Sequence, residues 1–109
     1  MTLLAPDGNF FNGDNAPSSG ELFYDILKSG NVLVERIVSS SDIRHDDYCQ
    51  RQDEWVIVLK GSACMTIGER ECIMREGDYV FIAAGVRHRV LSVENGTLWL
   101  AVHIFKDPL

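Results

Sequence analysis

The sequence predicts an all-β domain, a sandwich or barrel of short antiparallel strands, preceded by an irregular arm with one short helix. Three observations carry this expectation. Seven β-branched or alternating segments follow one another between residues 32 and 105. Glycines at 61, 68, 77, 85 and 96 separate most of them at intervals of 7 to 11 residues. No intervening segment has room for the helical crossovers of a parallel sheet. The chain of 109 residues, 46% apolar and 24% charged, has ordinary globular composition, which argues against disorder and fibrous repeats. It suits one domain, divided into an arm over 1–30 and a barrel over 31–109.

Residues 1–20 hold Pro6, Pro17 and several Gly, Asn and Ser, which reads as an arm laid over the body of the domain. Ser18 and Glu21 have the spacing of a helix capping box, Leu22, Phe23, Ile26 and Leu27 recur at helical spacing, and Gly30 is a stop signal. Together they predict a helix over 20–28. Beyond Gly30 the period changes to two, and strands are expected over 32–38, 54–60, 62–67, 71–75, 78–83, 88–93 and 98–105. Asn95-Gly96 between the last two is a strong signal for a type I′ hairpin. A two-residue turn would pair Glu94 with Thr97 and set His88 opposite His103, with Trp99 on their face. The other face would carry Leu91, Val93, Leu98, Leu100, Val102 and Ile104. An apolar second face needs a cover, either the N-terminal helix or another subunit, so a homodimer is expected.

Charge and cysteine usage exclude several functions. Acidic residues outnumber basic ones 16 to 10, for a net charge of −6. That is the wrong sign for nucleic acid or an anionic membrane surface. No apolar run approaches the roughly 20 residues that span a bilayer. The N-terminus lacks the basic and apolar segments of a secretory signal. Cys49, Cys64 and Cys72 match no zinc-module spacing, which suggests a reduced, cytoplasmic protein. Cys64 and Cys72 lie in apolar runs and read as packing residues. Cys49 has no histidine at a spacing that implies a nucleophile–base pair, and no glycine-rich loop precedes a helix.

Two stretches carry a family resemblance. Glu54 is followed by six residues and Gly61, while Gly77 is followed by five residues, Ala83-Ala84-Gly85, two residues and His88. In this order they resemble the two motifs of the cupin superfamily, with the likeness extending over about 32–105. The chain is most similar to small single-domain cupins, through Tyr48, Gln50, Glu54-Trp55, His88-Arg89-Val90 and the final segment from Trp99 to His103. The resemblance implies a double-stranded β-helix, the jelly roll or cupin barrel, with Ala83 standing where the family has proline.

It also implies where a metal would sit. In metal-binding cupins the first motif gives His-x-His and a glutamate, the second gives one histidine, and the ion is Fe, Mn, Ni or Zn. This sequence keeps Glu54 and His88 but lacks the His-x-His pair. The two positions fall on Tyr48 and Gln50, or, with one more intervening residue, on Asp47 and Cys49. Strand parity favours the first register, since an inward Glu54 brings Gln50 and Tyr48 inward, whereas the second needs a β-bulge. The candidate ligands are therefore Gln50, Glu54 and His88, with Tyr48, Trp99 and His103 lining the pocket. Two readings stay open. One is a depleted site for one divalent metal ion. The other is a metal-free pocket in which Glu54, His88 and Gln50 hydrogen-bond a small polar ligand or each other. His45, in a charged loop, reads as surface.

Overall fold

The computed structural model describes residues 2–13, 15–44 and 46–109. Among them it contains eight strands and no helix: β1 (Glu21–Ser29), β2 (Val32–Ser39), β3 (Asp53–Lys60), β4 (Ala63–Ile67), β5 (Arg70–Met74), β6 (Tyr79–Ile82), β7 (His88–Val93) and β8 (Thr97–Ile104). They form a five-stranded sheet ordered β1-β2-β8-β3-β6 and a three-stranded sheet ordered β5-β4-β7. Every pairing is antiparallel. The two sheets close a jelly roll over a core that includes Ile37, Val56, Val58, Met65, Met74 and Trp99.

Alternation builds this core. In β3 the side chains of Glu54, Val56 and Val58 are buried, and in β8 those of Trp99, Ala101 and His103. Each set lies on one pleat face, as period two requires. Val56 and Val58 pair with Ala101 and Trp99, which fixes the two strands in register at the centre of the larger sheet.

The helix expected over 20–28 is instead strand β1. It pairs with β2 from Glu21↔Ser39 to Ser29↔Val32. A register shift between Asp25 and Leu27 leaves Ile26 as an extra residue. A bulge of this kind breaks period two, so apolar residues at 22, 23, 26 and 27 imitate helical spacing while serving both faces of a strand. Glu21 makes no capping box, because its carboxylate accepts a hydrogen bond from Ser39. Gly30 closes a two-residue β1–β2 hairpin, with the positive φ of 58° that a type II′ turn needs at its first central position. The irregular arm thus ends at residue 20. Arg36, on the outer face of β2, holds it by donating to the carbonyls of Phe10, Asn12 and Gly13.

The hairpin expected at Asn95-Gly96 does not form either. β7 pairs with β4 in the smaller sheet, whereas β8 lies between β2 and β3 in the larger one. A type I′ turn needs positive φ at both central residues, and only Gly96 has it, at 85°. The turn is a corner between facing sheets. His88 and His103 are therefore not cross-strand neighbours, and Val93, assigned to an outer face, is buried in the core.

Candidate functional site

A cavity of about 80 Å³ lies at one end of the barrel, lined by Glu21, Phe23, Glu35, Ile37, Tyr48, Gln50, Glu54, His88 and His103. Both sheets and the segment before β3 contribute. Glu54 is the inward residue at the start of β3, and His103 stands opposite it on β8. His88 begins β7 and reaches the cavity from the smaller sheet. A bridge between Tyr48 and His88, with backbone bonds of 2.8 and 2.9 Å, fixes the register of the preceding segment. The ring of Tyr48 stacks on that of His88 at 5.7 Å between centroids.

That register decides between the two sequence alternatives. Tyr48 and Gln50 face the cavity, whereas Cys49 points away with its thiol 3.5 Å from the Gly85 carbonyl. Asp47 lies outside near Arg89, at 3.5 Å. Trp99 does not line the cavity. Its ring sits in the core, where Nε1 donates to Ser39 Oγ at 3.0 Å. The Ser39 hydroxyl donates in turn to Glu21 Oε2 at 2.6 Å. Trp99 thus reaches the cavity at one remove, by orienting the serine that holds Glu21. His45 lies outside the described residues.

Hydrogen bonding fixes the roles of the ring nitrogens. His88 Nδ1 is 3.2 Å from the carbonyl of Val86, which can only accept, so Nδ1 carries a proton. In the neutral ring Nε2 is then an acceptor facing the cavity. It stands 3.8 Å from Glu54 Oε1, too far for a hydrogen bond but near enough for an ion pair when the ring is charged. His103 is engaged on both sides. Its Nε2 donates to Glu35 Oε1 at 3.0 Å, and Gln52 Nε2 donates to its Nδ1 at 3.3 Å. Gln50 Oε1 is buried and has no hydrogen-bond partner.

The electrostatics follow from burying three carboxylates together. Burial pushes the carboxyl of Glu54 above its ordinary range, the charges of His103 and His88 oppose this, and Glu35 and Glu21 add to it. Burial also raises Glu21, against the Ser39 hydrogen bond and with the help of Glu35. Burial alone would lower His103, but its bond to Glu35 and the nearby charges of Glu54, Glu35 and Asp25 outweigh that and raise it. Tyr48 is raised by burial and by the acidic groups around it.

Glu21, Glu35, Gln52 and Ser39 are site residues that the sequence reading missed. For Glu35 a signal was present. It shares the parity of Leu33 and Ile37, an acid on the inward face of an apolar strand. Glu21 was hidden by its capping-box spacing.

The donors fit a divalent ion in part. Among the described residues no three His, Cys, Asp or Glu side chains stand together as a ready metal site. Glu54 and His88 give one carboxylate and one imidazole, and the orphaned Gln50 oxygen offers a third, neutral donor. The Nδ1–H bond from His88 to a backbone carbonyl is the usual way to orient a metal-binding imidazole. Such a set suits a weakly held ion.

A cupin-domain family profile matches residues 41–103. A protein from Ralstonia eutropha JMP134, described as a candidate mannose-6-phosphate isomerase, is 34% identical in sequence. Its structure superposes with a TM-score of 0.81 over 93% of this chain and 99% of that one. A conserved protein of unknown function from Streptococcus pyogenes has a TM-score of 0.80 at 17% identity, covering 97% of this chain and 92% of the other. An RmlC-like cupin from Shewanella frigidimarina NCIMB 400 has a TM-score of 0.72 at 13% identity, covering 90% and 91%. No curated protein matches significantly.

Proposed function

The chain belongs to the cupin superfamily, and on that premise we propose that its cavity is a weak, cation-directed binding site whose preferred occupant is a divalent metal ion. One observation carries this reading. Glu54, the Nε2 of neutral His88 and the orphaned Gln50 Oε1 are all acceptors, and they converge on the same small space. A buried acceptor without a donor costs about 1–3 kcal/mol, a cost that a cation in the cavity would relieve. The oxygen-rich set suits Mn or Fe, with Ni and Zn also within its range.

In this reading Glu54, His88 and Gln50 hold the ion, and a bound ion would supply Lewis-acid polarisation. The protein's own groups do the rest. Val86 fixes the His88 tautomer through its carbonyl, and Tyr48 covers the imidazole by stacking on it. Glu35 and Gln52 engage both ring nitrogens of His103 and leave it as a proton-bearing group on the wall rather than a free donor. The reading assigns binding to the cavity and no turnover.

A metal-free occupant is the second reading, favoured by the same acceptors. A small protonated amine would bring both donors and positive charge to them. A phosphosugar, which the description of the Ralstonia protein would suggest, suits the site poorly. Three carboxylates repel a phosphate. The three cysteines are unpaired, which supports a reducing, cytoplasmic setting.

Calorimetric titration of the untagged protein with Mn²⁺, Zn²⁺ and methylammonium tests the proposal. Saturable metal binding that His88→Ala weakens by tenfold or more is the expected result. Binding of methylammonium without metal would favour the second reading. Metal binding that is indifferent to His88→Ala would remove the site from this cavity.

A further inference from the structure

The inward face of β1 and β2 supplies one wall of the cavity, and its cross-strand pairs run in the order Glu21–Ser39, Phe23–Ile37 and Asp25–Glu35. Glu21 and Glu35 thus stand at opposite ends of an apolar floor made by Phe23 and Ile37. The Phe23 ring is half-exposed and Ile37 is buried. Each acid is held from behind. The Glu21 carboxylate accepts from the Ser39 hydroxyl, which accepts in turn from Trp99 Nε1, and Ser39 and Trp99 are both buried. Glu35 Oε1 accepts from His103 Nε2. Each carboxylate keeps a second oxygen with no hydrogen-bond donor.

We propose that this wall binds a short aliphatic diammonium ion, with one ammonium at Glu21, the other at Glu35 and the methylene stem over Phe23 and Ile37. The proposal rests on the cation-directed reading of the cavity and adds a second set of acceptors to Glu54, His88 and Gln50. Charge is the first argument. The cavity brings Glu21, Glu35 and Glu54 together, and no Lys or Arg lines it. Asp25, the next acid on the same face, is matched by Lys28 at 3.4 Å. Among the described residues no Lys or Arg pairs with Glu21 or Glu35. Unmet acceptors are the second argument. In the same cavity Glu54 is more than nine-tenths buried and has no hydrogen-bond donor, His88 Nε2 standing at 3.8 Å, and Gln50 Oε1 is orphaned. Such groups call for donors that carry positive charge. An ion held by Glu54, His88 and Gln50 leaves Glu21 and Glu35 unanswered. Shape is the third. A metal ion needs donors that converge on one point, whereas Glu21 and Glu35 are set apart, since successive pairs on one face of a strand lie about 6.8 Å from each other. Two acids flanking an apolar floor match two ammonium groups joined by methylenes, and an aromatic face such as that of Phe23 also attracts ammonium.

The ligand would also tie the wall together. β1 is an edge strand with β2 as its only partner in the sheet, and nearly all of it is exposed. A diammonium ion bridging Glu21 on β1 and Glu35 on β2 therefore joins the least supported strand of the site to its neighbour. The chain from Trp99 through Ser39 aims the Glu21 carboxylate for that contact before the ligand arrives.

Calorimetric titration of the untagged full-length chain, at neutral pH and without added metal, compares propanediamine, butanediamine and butylammonium, which are protonated there. Saturable binding of at least one diamine, about tenfold or more tighter than butylammonium, is the expected result. Glu21→Gln, which keeps an oxygen for Ser39 and should keep the wild-type circular dichroism, should bring that diamine to the level of the monoamine. Glu35→Gln, at the other end of the floor, should do the same. A diamine that binds no tighter than butylammonium would overturn the proposal, as would one whose affinity both substitutions leave unchanged. Mn²⁺ titrated in parallel separates this inference from the metal site. Mn²⁺ binding without a preference for diamine rejects the inference and leaves the metal site standing, whereas a diamine preference without Mn²⁺ binding supports the inference and rejects the metal site.

Discussion

Glu54 stands directly opposite His103 on adjacent strands, yet His103 gives its Nε2 proton to Glu35, 3.0 Å away on the other flanking side. One imidazole thus lies between two carboxylates and is hydrogen-bonded to the one that does not share its closest register.

This arrangement predicts how His103 titrates. Burial works against it, but the Glu35 bond and charge help raise it, so Glu35→Gln should lower its pKa. An NMR titration of the His103 imidazole follows it. An unchanged His103 would mean that Glu54, not Glu35, governs it.

The pH dependence of stability has a definite sign. Burial raises the carboxyls of Glu21 and Glu54 above 4.5. Burial pulls His103 down, but its carboxylate neighbours raise it above 6.5. In all three cases the folded state keeps its proton to higher pH than the unfolded chain does. Their contribution is therefore fully present below the unfolded values and is lost as pH rises through the folded ones. Melting temperatures should fall from about pH 5 towards about pH 8 as these groups lose their protons. Glu54→Gln should make that fall shallower and melt higher at the alkaline end. A wild-type Tm that climbs across the interval would contradict this.

Gln50 separates stability from binding. Gln50→Leu removes an acceptor that has no partner, so it should cost little stability while lowering Mn²⁺ affinity. Gln50→Glu adds a carboxylate donor and should raise that affinity about tenfold or more, with lower stability in the metal-free form. Thermal melts with and without Mn²⁺ report both quantities. A Gln50→Leu variant that binds Mn²⁺ as tightly as wild type would take Gln50 out of the ligand set.

Gly61 tests the fold rather than the site. A Cβ there would lie 2.9 Å from the Thr97 backbone, and the residue has φ of 91°. Gly61→Ala should therefore destabilise the domain by roughly 3 kcal/mol through steric overlap and backbone strain. Gly77 has a similar φ of 87° but nothing within 4 Å, so Gly77→Ala should cost only about 1 kcal/mol. Equal losses in denaturant melts would show that strain alone is at work.

The sequence by itself determined the β architecture, the punctuating glycines and the inward parity of Glu54, because alternation and turn chemistry are local and period two survives in any sheet. It also pointed to Gln50 over Cys49, although the segment is not an unbroken strand and the register is held by the bridge from Tyr48 to His88. Only the tertiary structure decided the rest. Residues 21–29 are a strand because β2 offers them a pairing edge and the bulge at Ile26 absorbs their irregular spacing. His88 and His103 reach one cavity from opposite sheets because Asn95-Gly96 turns a corner, a choice set by which strands are free to pair. Glu21 and Glu35 join the site for the same reason. Their places depend on contacts between segments far apart in the chain, and no local pattern encodes which edge a strand will find.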